Sequence, residues 1–176
     1  MTRRAASGVQ PRVVIAMGSN LGDRLDYLQS GLDGLFDTPR ISFLASSPVF
    51  QTAPVGGPEQ PDYLNAVAIG ETSLPPRAVL ERCLGVEDAF GRVRTELWGP
   101  RTLDLDLIVY GDEVSDSPHL TLPHPRAHER AFVLAPWLAT DPDAYLPGRG
   151  RVADLLAAIG TAGVARLDGA VLHPPA

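Results

Sequence analysis

The hydrophobic residues of the chain follow strand and helix periods in a regular order. The run RVVIAMG, which begins at Arg12, predicts a buried strand, and RLDYLQSGLDGLF then carries leucines at helical spacing. Asp23 precedes that run and is placed to cap the helix. Two further strands are predicted in RISFLASSPVF and YLNAVAIGET. They are separated by a loop, QTAPVGGPEQPD, that is too rich in proline and glycine for regular structure.

A second helix and a fourth strand complete this order. The segment PPRAVLERCLGVEDAFG starts with prolines, which the first turn of a helix tolerates, and ends at Gly91, a residue type favoured after a helix. The run TLDLDLIVY follows as a strand. We therefore predict an α+β protein with a ferredoxin-like β-α-β-β-α-β core. Its antiparallel sheet packs two helices on one face and leaves the other face free for a site.

The length of 176 residues suits a single globular domain. We predict a flexible arm over residues 1–11, one domain over 12–160 and a C-terminal tail over 161–176, with a short helix at Val152–Ile159 in the C-terminal extension. The arm has basic residues but no apolar run, so we expect neither a signal peptide nor a membrane span. A single cysteine, Cys83, allows no internal disulfide, which fits a cytoplasmic protein.

Two aspartates interrupt the fourth strand. Successive side chains of a strand alternate faces, so the leucines of LDLDL share one face while Asp104 and Asp106 share the other. Their backbones are then roughly 6 to 7 Å apart, close enough for the carboxylates to repel each other unless a cation lies between them. A solvated strand face is the alternative, but aspartate is depleted in strands. Oxygen ligands favour Mg²⁺, and two such ions clamping a polyphosphate is a recurrent arrangement.

The charge composition narrows the chemistry further. All 15 basic residues are arginine, which excludes a P-loop lysine, a kinase strand lysine and a Schiff base, although codon bias also explains this composition. The net charge of −6 argues against binding driven by nucleic-acid phosphates. Arginines at positions 92, 94, 101 and 130 would supply bidentate partners for phosphate oxygens. These features together predict a magnesium-dependent enzyme that acts on a nucleoside triphosphate.

Five segments carry a resemblance to a known family. In order and spacing, GSNLGDR, PVGGPEQPDYLNAV, GRVR, WGPRTLDLDLI and LTLPHPRAHERAFVLAPW resemble 6-hydroxymethyl-7,8-dihydropterin pyrophosphokinase, an enzyme of folate biosynthesis. The resemblance runs from about residue 13 to residue 136. It implies a monomeric transferase that moves diphosphate from ATP to the pterin hydroxymethyl group and releases AMP. It also implies two Mg²⁺ held by Asp104 and Asp106, and no nucleic-acid or membrane partner.

The resemblance also implies a role for individual residues. Arg92 and Arg101 would act on the transferred phosphates, with Arg94, His124 and Arg130 on the nucleotide and Trp98 in a loop that closes over both substrates. The implied pterin-binding residues are Thr52, Val55, Tyr63, Asn65, Trp98 and Phe132. The tyrosine and phenylalanine would stack on the ring, which suits a flat polar heterocycle.

The chain departs from the family pattern at two residues and in the length of one segment, and two alternatives remain. Leu84 stands where some members have glutamine, and Pro125 follows His124 where an aromatic residue can occur, so one nucleotide contact is in question. The segment TEL is one residue shorter than in some relatives. An RNA-recognition module has the same element order, but it uses sheet aromatics rather than aspartates. An inactive relative that only binds partners is the other alternative.

Overall fold

The computed structural model describes residues 8–54, 56–90 and 102–176. Its helices are α1 (Arg24–Leu35), α2 (Pro76–Ala89), α3 (Ala131–Thr140) and α4 (Val152–Ile159), and a short 3-10 helix spans Ala127–Glu129. The strands are β1 (Arg12–Ser19), β2 (Ile41–Ser46), β3 (Phe50–Thr52), β4 (Tyr63–Thr72), β5 (Asp104–Tyr110), β6 (Ser115–Ser117), β7 (Leu120–Leu122), β8 (Tyr145–Leu146), β9 (Gly150–Arg151) and β10 (Val164–Arg166).

The main sheet has the predicted ferredoxin-like order. Strands β2, β4, β1 and β5 lie side by side in that order, and each neighbouring pair is antiparallel. The chain order of these strands and of α1 and α2 is β-α-β-β-α-β, as the hydrophobic pattern predicts. Among the described strands of this sheet, β5 lies at one end, with β1 as its sheet partner.

Helices α1 and α2 cover one face of the sheet. The side chain of Asp23 accepts a hydrogen bond from the backbone N–H of Asp26, which confirms the predicted cap of α1. Apolar side chains of both helices pack on alternate residues of β1, β4 and β5, so the helical and strand periods of the sequence meet in one core. Its members include Leu28, Leu32, Leu35, Val79, Cys83, Ile15, Met17, Leu103, Leu105 and Leu107.

The prediction that the opposite face is free was wrong for part of that face. Val133, Leu134 and Trp137 of α3 are buried in a second core against the sheet. The run AFVLAPWLAT is apolar almost throughout and contains Pro136, so it shows no amphipathic period from which a helix could be predicted. The uncovered end of this face carries the polar side chains of the candidate site.

The C-terminal region adds a strand that the sequence analysis did not predict. Helix α4 lies where a helix was predicted, but β10 then pairs antiparallel with β3, whose last two residues belong to the predicted loop. The backbone N–H of Leu167 donates to Val49 O at 2.9 Å. Residues 161–176 therefore contribute to the sheet, while the predicted domain boundaries stay a prediction.

Within the described ranges, no helix has the length and apolar character needed to cross a membrane.

Candidate active site

A cavity of about 460 Å³ opens on the sheet face opposite α1 and α2. Its floor is formed where β1 runs between β4 and β5: Gly18 pairs with Asn65 on one side and with Asp104 on the other, and Ala16 pairs with Asp106. The small residues Ala16 and Gly18 of β1 leave open space above the sheet at this floor. A Cβ atom at Gly18 would lie 3.0 Å from Asn65 Oδ1, so the asparagine side chain occupies the space that the glycine leaves.

The paired aspartates lie on the cavity face of β5, as the strand period predicts. Asp104 and Asp106 both line the cavity, while Leu105 between them is buried on the opposite face. Nη1 of Arg130 lies 3.7 Å from Asp106 Oδ2 in a partly exposed ion pair. A guanidinium group therefore approaches the acidic pair from the far wall of the cavity, where phosphate oxygens could compete for it.

The wall formed by β3 and β4 carries a buried polar pair. Nδ2 of Asn65 donates to Thr52 Oγ1 at 2.8 Å, and both side chains are almost fully buried. This bond orients the amide so that its oxygen is the acceptor left toward Gly18. Tyr63, which pairs with Thr52 across the two strands, also lines the cavity.

His124 lies on the wall opposite the asparagine. Its backbone N–H donates to Ile108 O at 2.8 Å, which fixes the residue against β5. Its Nδ1 accepts a hydrogen bond from the backbone N–H of Arg126 at 3.2 Å, so the neutral ring carries its proton on Nε2. Burial lowers the pKa of His124, and Arg130 and Arg126 lower it further, while Asp106 opposes the shift.

Phe132, at the start of α3, completes the aromatic lining. The Cζ atom of Arg130 lies 5.6 Å from the centroid of its ring, within the range of a cation–π contact. The cavity therefore combines two aromatic rings, Tyr63 and Phe132, with a fixed amide–hydroxyl pair at one end and carboxylates and arginine at the other.

Eight of the thirteen predicted site residues are described, and all eight line this one cavity: Thr52, Tyr63, Asn65, Asp104, Asp106, His124, Arg130 and Phe132. The other five, Val55, Arg92, Arg94, Trp98 and Arg101, lie outside the described residues. The structure adds lining residues that the sequence analysis did not assign to the site, including Gly18, Gln60, Arg126 and Glu129. The motifs GSN and HPRAHER contain three of them and could have indicated their position.

A second cavity, of about 400 Å³, lies between α2 and the β6–β7 hairpin. Leu84, one of the two departures from the family pattern, is 40% exposed and lines it together with Leu80, His119 and Leu120. Pro125, the other departure, is not among the residues that line either cavity.

The donor set of the main cavity fits a hard cation. Within the described ranges, no group of three or more His, Cys, Asp or Glu side chains could hold a metal ion. Two carboxylates suit magnesium, which is typically bound by one or two carboxylates, with water or substrate phosphates as the other ligands. Asp104 and Asp106 are suitably placed for that chemistry, and the donor set has no resemblance to a zinc site.

Comparisons with known proteins agree with this geometry. Residues 14–142 match the family model for 7,8-dihydro-6-hydroxymethylpterin-pyrophosphokinase. A Mycobacterium bovis protein named 2-amino-4-hydroxy-6-hydroxymethyldihydropteridine pyrophosphokinase is 48% identical in an alignment of 149 residues that covers 79% of this chain and 77% of that protein. The Pseudomonas aeruginosa protein of the same name is 40% identical over 159 residues, 90% of this chain and 98% of its own.

Solved structures show the same fold. The chain superposes on an HPPK-DHPS in complex with substrates with a TM-score of 0.70, at 10% identity over 95% of this chain. A wild-type Plasmodium falciparum HPPK-DHPS with pteroate gives a TM-score of 0.67, at 10% identity over 85% of this chain. The chain spans 48% and 44% of those longer proteins. From the family model and the curated relatives together, the chain belongs to the 7,8-dihydro-6-hydroxymethylpterin-pyrophosphokinase family.

Proposed function

We propose that the cavity binds 6-hydroxymethyl-7,8-dihydropterin at its Asn65 end and the polyphosphate of ATP at its aspartate end, and that the pterin hydroxyl attacks the β-phosphorus. The products are AMP and the pterin diphosphate, the family's reaction in folate biosynthesis. One observation carries this proposal: the acidic pair of β5 and the amide–hydroxyl pair of β3 and β4 line the same cavity.

The hydrogen-bonding groups at the Asn65 end of the cavity suit the edge of a pterin ring. Asn65 Nδ2 is committed to Thr52, so Asn65 Oδ1 is available as an acceptor for an N–H of the ring edge. The Thr52 hydroxyl accepts that bond and retains its own proton for a ring acceptor. Tyr63 and Phe132 supply apolar faces for the flat ring. Val55 would add backbone contacts, and the loop that carries Trp98 would close over the bound substrates.

At the other end, Asp104 and Asp106 would hold magnesium, and two ions is the number that the family resemblance implies. Bound there, magnesium would neutralise phosphate charge in the ground state and in the transition state. The protein side chains orient the phosphates: Arg130 exchanges Asp106 for a phosphate oxygen, and His124 donates from Nε2. Arg92 and Arg101 would hold the transferred diphosphate, and Arg94 would add a further contact to the nucleotide.

We place the adenine base of ATP in the second cavity. Leu84 precedes Glu87 by three residues on α2, and Glu87 contacts the backbone of Leu105 between the aspartates. At about 1.5 Å of rise per residue, the cavity wall at Leu84 is one helical turn from that contact. Leu80, Leu84 and Leu120 offer an apolar surface for the base, so the leucine at position 84 changes the contact from a hydrogen bond to packing.

Diphosphate transfer requires in-line geometry at the β-phosphorus. The new bond joins the pterin oxygen to that phosphorus as the hydroxyl releases its proton. The bond that breaks joins the phosphorus to the oxygen of the α-phosphate, so negative charge develops on AMP. Arginine side chains, and magnesium held by Asp104 and Asp106, would lower the barrier because preorganised positive charge needs no reorganisation as the negative charge moves. Closure of the Trp98 loop would exclude water, which is the competing acceptor. We further propose a monomeric cytoplasmic enzyme, because the family resemblance implies a monomer and a single cysteine fits a reducing compartment.

Calorimetry with a non-hydrolysable ATP analogue, Mg²⁺ and the pterin tests the two ends separately. Phe132→Ala should weaken pterin binding by about 1 to 3 kcal/mol through lost stacking and burial, while nucleotide affinity stays nearly unchanged. Leu84→Ser should do the reverse, weakening the nucleotide alone. If each variant weakened both ligands equally, the two ends would be wrongly assigned.

A further inference from the structure

Glu87 is a buried acid that the proposed reaction does not use. It lies on the sheet-facing side of α2, and only 3% of its surface is exposed. A buried carboxylate is costly unless hydrogen bonds compensate the loss of water, so its position in the core calls for a specific partner. Its Oε1 accepts a hydrogen bond from the backbone N–H of Leu105 at 2.7 Å.

The backbone N–H of Leu105 lies between the two proposed metal ligands. Leu105 separates Asp104 from Asp106, and its N–H points away from β1 toward α2 because β5 ends the described sheet on that side. Glu87 therefore takes the place of the strand that would otherwise accept this hydrogen bond. A second hydrogen bond joins residues that flank these two elements: Oγ1 of Thr102 donates to the backbone oxygen of Phe90 at 2.8 Å.

Glu87 shares the buried side of α2 with Cys83, which packs in the core on the sheet face opposite the cavity. The thiol is fully buried one turn before Glu87, and its pKa is raised first by burial and then by the negative charges of Glu87 and Asp106. Glu87 thus approaches the aspartate strand from the side of the sheet opposite the cavity. It has no place in the cavity lining, so its contact with the strand is through the backbone.

We infer that Glu87 is a positioning residue: its bond to the Leu105 N–H fixes the backbone between Asp104 and Asp106 and so sets the spacing of the two carboxylates for magnesium and the polyphosphate. The inference rests on the proposed metal-binding role of the two aspartates. Residues that orient metal ligands typically change metal affinity by about 10- to 100-fold when they are replaced. A fixed strand also avoids an ordering cost when the ligands bind.

Three replacements of Glu87 separate the effect of its hydrogen bond from the effect of its charge. Glu87→Gln keeps an oxygen acceptor at the same reach and removes the charge, so the affinity for Mg²⁺ with a non-hydrolysable ATP analogue should stay within about 3-fold of wild type. Glu87→Asp keeps the charge but is shorter by one methylene, and Glu87→Ala has no acceptor. Both should weaken that affinity by about 10- to 100-fold. Asp88→Ala, an exposed acid next along α2, is the matched control and should bind like wild type.

Hydrogen exchange of the Leu105 amide gives a readout independent of the nucleotide. Exchange should be slow in the wild type and in Glu87→Gln, and faster by at least about 10-fold in Glu87→Asp. Calorimetry then measures nucleotide affinity on the same samples. Failure of the wild type to bind the magnesium nucleotide would refute the proposed function, whereas the Leu105 amide would still report on the contact.

The inference would be overturned by either of two results. If Glu87→Gln lost as much affinity as Glu87→Asp, or more, the charge rather than the hydrogen bond would matter. If the Leu105 amide exchanged faster in Glu87→Asp while nucleotide affinity was unchanged, the contact would be structural only. Both comparisons use the Gln and Asp variants, so they remain decisive even if Glu87→Ala does not fold.

Discussion

Asn65 Nδ2 donates to Thr52 Oγ1 at 2.8 Å, and this bond joins side chains of β3 and β4 in the cavity wall. Because both side chains are buried, the bond decides which atoms of the amide and the hydroxyl are presented to a ligand. It thus links the stability of the β3–β4 pair to the proposed recognition of the pterin.

Thr52→Val should weaken both functions of this pair. The change leaves the Asn65 amide without its acceptor, which should lower the free energy of unfolding by about 1 to 3 kcal/mol and weaken pterin binding, because the amide is no longer held in one orientation. Thr52→Ser retains the hydroxyl and is the control. Urea denaturation and pterin calorimetry on both variants measure the effect, and wild-type pterin affinity in Thr52→Val would contradict it.

Gly18→Ala should disturb the cavity floor. The added Cβ would lie 3.0 Å from Asn65 Oδ1, so the asparagine must move. This overpacking should lower the free energy of unfolding by about 1 to 3 kcal/mol and weaken pterin binding. Gly85→Ala is the matched control. Nothing lies within 4 Å of a Cβ there, and replacing a mid-helix glycine should raise the free energy of unfolding by about 0.5 to 1 kcal/mol. Equal pterin affinity in both variants would show that the floor tolerates a methyl group.

Asp104→Asn and Asp106→Asn should each lose most of the activity while the fold survives. Each change keeps the side-chain size but removes a negative charge proposed to hold magnesium, which should cost several kcal/mol of transition-state stabilisation. Asp112→Asn, an exposed acid in the turn after β5, is the control. Turnover at saturating Mg²⁺ and the nucleotide affinity without and with Mg²⁺ are the measurements. Wild-type turnover by either site variant would refute the metal assignment.

The lowered pKa of His124 predicts a pH dependence of stability in the ligand-free protein. Burial and the charges of Arg126 and Arg130 hold the folded pKa below the ordinary value of 6.5, against the opposing effect of Asp106. The unfolded chain then binds the proton more tightly, so acidification from above 6.5 through the folded pKa removes stability.

Replacement of His124 by glutamine should flatten this dependence. Between about pH 8 and pH 5, a range that spans the ordinary histidine pKa, the wild type should lose more of its free energy of unfolding than His124→Gln. Urea denaturation across that range, with a chelator present, measures the difference between the two proteins. Parallel curves would contradict the assignment of a partly buried neutral imidazole.

The sequence predicted the parts of the structure that follow from local patterns. The ferredoxin-like core could be predicted because its elements have local signals, each contained within a few residues. These signals are the leucine spacing of α1, its Asp23 cap and the alternation of β5. The pairing of β10 with β3 could not, because each strand has only three residues and their contact joins segments more than a hundred residues apart. Helix α3 was missed because its apolar run lacks a period.

Some features of the candidate site could likewise be predicted from the sequence, and others could not. Its charged and aromatic residues could be assigned to one site by resemblance, since the motifs of the family are specific. The Asn65–Thr52 bond and the Glu87 contact with Leu105 could not, because both depend on register between strands or on how α2 packs against β5. Such contacts are set by tertiary packing, of which a single sequence carries no local signal.

The identity of the nucleotide product tests the central claim most directly. The protein is incubated with ATP, Mg²⁺ and 6-hydroxymethyl-7,8-dihydropterin, and phosphorus NMR follows the products. Attack at the β-phosphorus predicts AMP and the pterin diphosphate in equal amounts, formed only when the pterin is present. Formation of ADP with a pterin monophosphate would contradict the mechanism, and no pterin-dependent consumption of ATP would favour the alternative of an inactive relative.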